Sequence, residues 1–301
     1  MSNIPTHSLE YQTFAVLLAC YGVWTVSLLV LPDTGGIGVA MAGIAVSAAL
    51  HSSLQHEVIH GHPTRHPWLN TLLIFPSLSV AIPFIRFRDT HLAHHRNARL
   101  TDPYDDPESN YLAPEVWNRL SRPARVVLRL NNTLLGRFVI GPGLGQVLFM
   151  RNDLRLIRAG NRSVLYAWLW HFVAVGPVIA LALLAPLPFW AFGVATYGAL
   201  GVLKIRTFLE HQAHESVCAR SVIIEDTGLL AFLFLNNNLH AVHHMHPQVA
   251  WYRLPALYQS RKARFLAHNR GYVYPSYLSV IGRHLLRAKD PVPHPLPQKR
   301  D

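Results

Sequence analysis

Charge and cysteine are both scarce in this chain. Of its 301 residues only 14% are charged while 50% are hydrophobic, too apolar a balance for an average soluble domain and the first sign of a membrane protein. No lysine or arginine occurs before Arg65, so the first apolar stretches carry no cationic side chain. The N-terminus also lacks the Lys/Arg-rich start and small-residue cleavage site of a signal peptide, and Tyr11–Leu31 is read as a retained span. The two cysteines, Cys20 and Cys218, lie far apart with no Cys-x-x-Cys, which removes the case for an iron–sulfur or zinc–thiolate site. Both read as small buried hydrophobes. No solenoid-type repeat is present, and Gly141-Pro142-Gly143-Leu144-Gly145 has no βαβ unit around it, so it reads as a helix-breaking loop rather than a nucleotide cradle.

The net charge of +11, from 27 Lys+Arg against 16 Asp+Glu, comes with no recognition motif for nucleic acid, and none is expected as a partner. The basic residues crowd into 119–162 and 253–300, as surfaces against anionic headgroups on the cytoplasmic side would.

Four apolar runs have spanning length: about 11–31, 37–54, 164–187 and 189–205. Pro32–Gly36 separates the first pair by a tight turn and Pro186-Leu187-Pro188 separates the second. Trp68–Phe84 is apolar but contains Pro76 and Pro83, so a re-entrant or interfacial hairpin competes evenly with a full crossing and the stretch is not counted as a span. The stretch after Pro114 mixes Arg with Leu, Val and Phe, which predicts amphipathic helices on the membrane surface. Gly228–Leu235 is apolar but too short to cross. A basic, Pro-rich tail at about 285–301 is expected to be mobile.

Against this background 19 histidines stand out. Three clusters recur: His56-Glu57-Val58-Ile59-His60, His91-Leu92-Ala93-His94-His95 and His240-Ala241-Val242-His243-His244. Residues three and four apart share a helical face, so each cluster aims its imidazoles at one region. Glu210-His211-Gln212-Ala213-His214 follows the fourth apolar run, with His211 the better candidate ligand and His214 a supporting residue. Nine histidines are too many for one ion and enough for two. Imidazole suits iron, zinc, copper and nickel, so ligand type alone does not name the metal, although a structural zinc site would want four ligands, often with cysteine. Glu57, Asp89, Glu210 and Glu215 flank these histidines and suit hydrogen bonding to ring N–H groups. His51 and His62 stand off the shared face or beyond Gly61, and His7, His171, His268, His284 and His294 are isolated.

The boxes resemble those of membrane fatty acid desaturases, a superfamily that also includes alkane hydroxylases and carotenoid ketolases. Arg206-Thr207-Phe208-Leu209-Glu210-His211, Asn238–Pro247 and Trp251-Tyr252-Arg253-Leu254-Pro255 are similar to the bacterial acyl-lipid branch. That resemblance, running from the second apolar run to Pro255, implies an all-α integral-membrane fold. Four transmembrane helices would carry a cytoplasmic helical cap, with a histidine-box di-iron site at the junction. By the family pattern His56, His60, His95 and His244 would hold one iron, and His91, His94, His211, His240 and His243 the other. It further implies two non-haem irons, O₂ as co-substrate and a membrane lipid or acyl substrate. No cytochrome b5 signature is present, so electrons are expected from a separate carrier such as ferredoxin. The expected setting is a bacterial inner membrane with the active site facing the cytoplasm. Desaturation is the expected outcome, with lipid hydroxylation or carotenoid-type ketolation as the alternative and metal transport as a distant one.

Overall fold

A chain segment in hydrocarbon must satisfy its own backbone, so long apolar runs have little choice but helix. A computed structural model describes residues 9–97 and 99–296; His7 and the end of the tail, 297–301, fall outside them. Helices supply nearly all regular structure, and the described strands are the two-residue parallel pair Ile223–Ile224 and Val273–Tyr274. Three helices are long and apolar enough to cross a membrane: Tyr11–Leu29, Ile37–Ile59 and Arg162–Leu184. The fourth expected run is also a helix, Phe189–Thr207, but it is not one of those three. Lys204 and Arg206 in its last turn dilute its apolar character.

Contacts divide the chain into two compact units, Met1–Arg88 with Leu148–Val202 and Asp89–Val147 with Leu203–Asp301. In the first, Tyr11–Leu29 packs along Ile37–Ile59. The Cys20 thiol reaches the Ser47 carbonyl at 3.2 Å, and the Tyr21 hydroxyl donates to the Leu73 carbonyl at 2.8 Å and lies 3.2 Å from His51 Nε2. The stretch 68–84 is not a span: the helix Pro67–Leu73 gives way to irregular backbone before Phe84–Arg96 begins. Within that irregular part Val80 is left-handed at φ 49°, and its carbonyl sits 3.1 Å from His171 Nε2. Phe75, Phe84, Ile85, Ala167, Trp170 and Ala174 line most of a cavity of about 250 Å³ in this unit.

The glycine-rich 141–145 stretch is not the loop expected. It forms the first turn of the helix Gly141–Arg158, because a proline there forfeits only an N–H that would be unpaired anyway. Further along that helix Asp153, 1% exposed, accepts both Arg86 Nε and Nη2 at 2.8 Å and Trp168 Nε1 at 2.9 Å. Such a bidentate, fully paired carboxylate fixes three segments of the unit together.

The second unit has its core at Ile223, Leu239, Val242, Leu254, Tyr258 and Phe265. Part of the tail expected to be mobile is tied into it. Tyr111 donates to Asp290, Lys289 Nζ to the His211 carbonyl at 2.6 Å, and the His294 N–H to the Leu112 carbonyl at 2.8 Å. Composition suggested mobility, but the buried side chain of Lys289 and these hydrogen bonds decide otherwise.

Between the first two apolar helices the tightest point is Gly43, where an added Cβ would lie 2.0 Å from Ser27 Oγ and 2.9 Å from Ser27 Cβ. Gly43→Val should therefore cost about 1–3 kcal/mol by overpacking, read as a lowered thermal midpoint of the solubilised protein. Gly22→Ala, with nothing within 4 Å of the new methyl, should hold or raise it.

Candidate metal centre

The second and third histidine clusters both lie in the second unit, each placed by its own local device. His91, His94 and His95 occupy the last turns of Phe84–Arg96. The helix His240–Met245 is only six residues long and depends on the turn before it. Leu235 and Asn236 are both left-handed, at φ 49° and 55°. Asn236 Nδ2 donates to the Trp251 carbonyl at 3.0 Å, and Asn238 Nδ2 to the Ile224 carbonyl at 2.7 Å. Asn237 faces the site, donating to Glu210 Oε1 at 3.1 Å and offering Oδ1 to His240 Nδ1 at 3.2 Å.

Four histidines from three segments converge at their Nε2 atoms. His94 and His211 are 2.9 Å apart, His211 and His240 3.0 Å, and His240 and His244 3.1 Å. Potential ligand atoms of these four all lie within 4.8 Å of one another, and the same holds among His91, His95 and His243. In the latter group His95 Nε2 and His243 Nε2 are 3.2 Å apart. This grouping differs from the division that the resemblance implied: His244 sits with His94, His211 and His240, whereas His91 and His243 sit with His95. The register of the two short helices, not order in sequence, decides which rings meet.

The other ring nitrogens explain what these close approaches mean. Asp106 Oδ1 lies 2.7 Å from His94 Nδ1 and Glu108 Oε1 3.0 Å from His91 Nδ1. Ser221 Oγ is 3.2 Å from His211 Nδ1. A carboxylate can only accept, so His94 and His91 donate from Nδ1, which leaves Nε2 as the ring atom that a metal would take. Burial and the neighbouring imidazoles push His211, His240 and His244 well below the usual histidine pKa, and burial with His91 and His94 beside it takes His95 down to about 3. His94 alone goes up: burial opposes its charge, but the bond to Asp106 and the charges of Glu108, Asp106 and Glu210 outweigh it. Glu108 is pushed down to about 2, because His91 and His94 outweigh its own desolvation.

Neutral imidazoles facing one another at about 3 Å through unprotonated nitrogens repel, unless a cation lies between them. Nitrogens bound at about 2.1 Å and at right angles on one metal are themselves about 3.0 Å apart. The donor set thus fits first-row metal ions, and the two groups fit two of them.

The remaining expected residues fall as follows. His56 and His60 lie at the end of Ile37–Ile59 in the first unit, their rings 4.9 Å apart. Glu57 beside them is buried, its Oε1 4.0 Å from His56 Nδ1. Asp89 is half-buried in Phe84–Arg96. Glu210 is buried on Asn237 and 3.2 Å from Arg206 Nε, with His240 Nδ1 3.9 Å away. His214 and Glu215 do not support the ring nitrogens. His214 Nδ1 accepts the Ser216 N–H at 3.0 Å, closing a local turn, and Glu215 is exposed. Asp106, Glu108, Asn237 and Ser221 take that task instead. Of these only the acidic loop 102–108 offered a sequence signal, and its separation of 12 and 17 residues from His94 and His91 follows no helical period. The loop holds Asp106 by two backbone donors, Thr101 N–H at 2.8 Å and Glu108 N–H at 2.9 Å. His51 and His62 have other partners, Tyr21 and Glu10.

Comparison with known proteins adds two findings. The profile of the family described as fatty acid desaturase matches residues 34–276. A beta-carotene ketolase of Paracoccus sp. is 24% identical over 228 residues, covering 73% of this chain and 76% of its own.

Removing a facing nitrogen should cost more than loosening its support. His240→Ala should lose bound metal in elemental analysis, while Asp106→Asn should keep the site but weaken metal retention against a chelator by about 10- to 100-fold. Unchanged retention in both would refute the site.

Proposed function

The chain belongs to the fatty acid desaturase family, and from that premise and the facing Nε2 atoms we propose that it is a di-iron oxidoreductase introducing a double bond into a fatty acyl or related lipid chain. The proposed ligands are His56, His60, His91, His94, His95, His211, His240, His243 and His244. Glu57, Asp89, Glu210, Asp106, Glu108 and Asn237 lie near enough in sequence or space to orient them. When bound, the iron pair would supply reductive activation of O₂ and oxidation of an unactivated C–H bond.

The chain's own contribution is orientation and exclusion. Burial keeps His211, His240 and His244 neutral, as metal ligands must be. Asp106 and Glu108 fix ring tautomers and raise ligand basicity. The apolar lining of the cavity among Phe75, Phe84, Ile85 and Trp170 supports a lipid-like substrate, for which placement matters more than acid–base chemistry.

In this reading Phe189–Thr207, 19 residues long and so about 28 Å, serves as the fourth span. The histidine-bearing segments form a cytoplasmic cap, the membrane is the bacterial inner membrane, and electrons arrive from ferredoxin or a similar separate carrier. Family membership, together with histidines at helix ends rather than mid-span, gives metal transport no support.

A second reading is carotenoid-type ketolation, favoured by the ketolase similarity. The two readings share a metal centre and separate by product. Purified protein, reconstituted with iron, a reductase system and candidate lipids, should contain about two irons per chain. Under ¹⁸O₂ it should yield product lighter by two hydrogens and free of label. A labelled hydroxyl or keto product, analysed before exchange with water, would replace desaturation with oxygen insertion. One zinc and no iron after reconstitution would sink both.

A further inference from the structure

Between the second histidine cluster and the third long apolar helix the chain carries chemistry that the metal centre does not use. Three short helices follow one another there ahead of Gly141–Arg158: Pro114–Arg119, Arg122–Asn131 and Leu134–Val139. At 100° per residue, positions of the middle helix sort into three strips. Ala124 and Leu128 are half-buried and face inward. Arg122, Arg125 and Arg129 form a second strip. The third comprises Pro123, Val126, Val127 and Leu130, all exposed, with Val126 at 51% and Leu130 at 52%. Exposed Leu135 and Val139, one turn apart, extend the apolar surface along the next helix.

Arg119, Arg122, Arg125 and Arg129 make no ion pair with a carboxylate among the described residues. Two are gathered at one place: the guanidinium carbons of Arg125 and Arg129 lie 5.7 and 5.4 Å from the centre of the Trp117 ring. Arg125 Nη2 also donates to the Asn118 carbonyl at 2.7 Å. Stacking on an indole leaves guanidinium edges available, and two such edges side by side suit phosphate oxygens. Tryptophan itself favours the headgroup level of a bilayer.

We propose that this face is a site for anionic phospholipid. Val126, Val127 and Leu130 sink to the edge of the hydrocarbon, and Arg122, Arg125 and Arg129 bind headgroup phosphates beside Trp117. A bilayer surface answers both strips, since it offers apolar depth next to negative charge. An acidic protein would neutralise the arginines but leave the aliphatic strip to water.

The test uses the full-length protein in bilayers. Nitroxide labels at Val126→Cys and Leu130→Cys, in a Cys20→Ser and Cys218→Ser background, should be reached by O₂ and shielded from a water-soluble relaxing agent. Spin-labelled phosphatidylglycerol should associate with the protein at least about fivefold more than phosphatidylcholine, about the effect of one arginine near the surface. That preference should fall in high salt. It should be lost in the Arg122→Gln, Arg125→Gln, Arg129→Gln variant while bound metal stays unchanged. Water-exposed labels would overturn the proposal, as would labels shielded only after an acidic electron carrier is added. Buried labels without any phosphatidylglycerol preference would overturn its anionic part.

Discussion

Everything distinctive in this protein follows from the need to hold unprotonated imidazole nitrogens about 3 Å apart. Such an arrangement opposes folding, because each lone pair repels the next and each ring gives up hydration. His94 and His211 approach to 2.9 Å at Nε2 only because the structure commits their Nδ1 atoms elsewhere, to Asp106 and Ser221. The acceptors have to be rigid for this to work. Asp106 is pinned by two backbone N–H groups, and Asn237 by Glu210. A bound metal ion would convert the convergence from a cost into a gain, and binding and local folding free energy would become one quantity.

The same requirement accounts for some of the strained backbone, though not for the left-handed Val80 or Arg270. Thr101, Leu235 and Asn236 adopt left-handed backbone without being glycine, at a typical cost of about 1–3 kcal/mol each. The first begins the loop that delivers Asp106, and the other two begin the turn that delivers His240. A longer, regular helix could carry His240, His243 and His244 without strain. It could not also bring Asn237 under His240 while Asn236 and Asn238 tie the turn to Trp251 and Ile224.

How much of this the sequence revealed depended on whether the feature was periodic. The histidine clusters and apolar runs repeat with helical spacing, so the helices bearing His91–His95 and His240–His244 could be read directly. The family resemblance followed from the same boxes. The supporting groups are brought in by tertiary contact. Asp106 and Glu108 come from a loop, Ser221 from beside a two-residue strand, and Lys289 from a tail whose proline content suggested mobility. Glu215, chosen because it neighbours the histidines in sequence, is exposed. Adjacency in sequence is a poor guide once the chain turns, as it does after His211. The tail and the glycine-rich turn were misread for a related reason. Lys289 is held by partners that composition does not show, and the first turn of Gly141–Arg158 tolerates Pro142 because the N–H it lacks would be unpaired there anyway.

The donor set also bears on the choice between desaturation and oxygen insertion. A chain in the fatty acid desaturase family aligns over 73% of its length, at 24% identity, with a protein named beta-carotene ketolase, so similarity in sequence spans proteins named for different products. If the proposed reaction holds, its outcome would be set outside the imidazoles, by where the second C–H bond of the substrate rests relative to the oxidant. A displacement well under an ångström suffices to favour one course over the other, since reacting groups must meet within about 3–3.5 Å in near-attack geometry. On that reading, residues such as Phe84, Trp170 and Ala174, which line an apolar cavity in the first unit, would be the kind through which that position is tuned. On the proposed reading, substituting the histidines would only remove activity, whereas changing the volume of such walls would change which product forms.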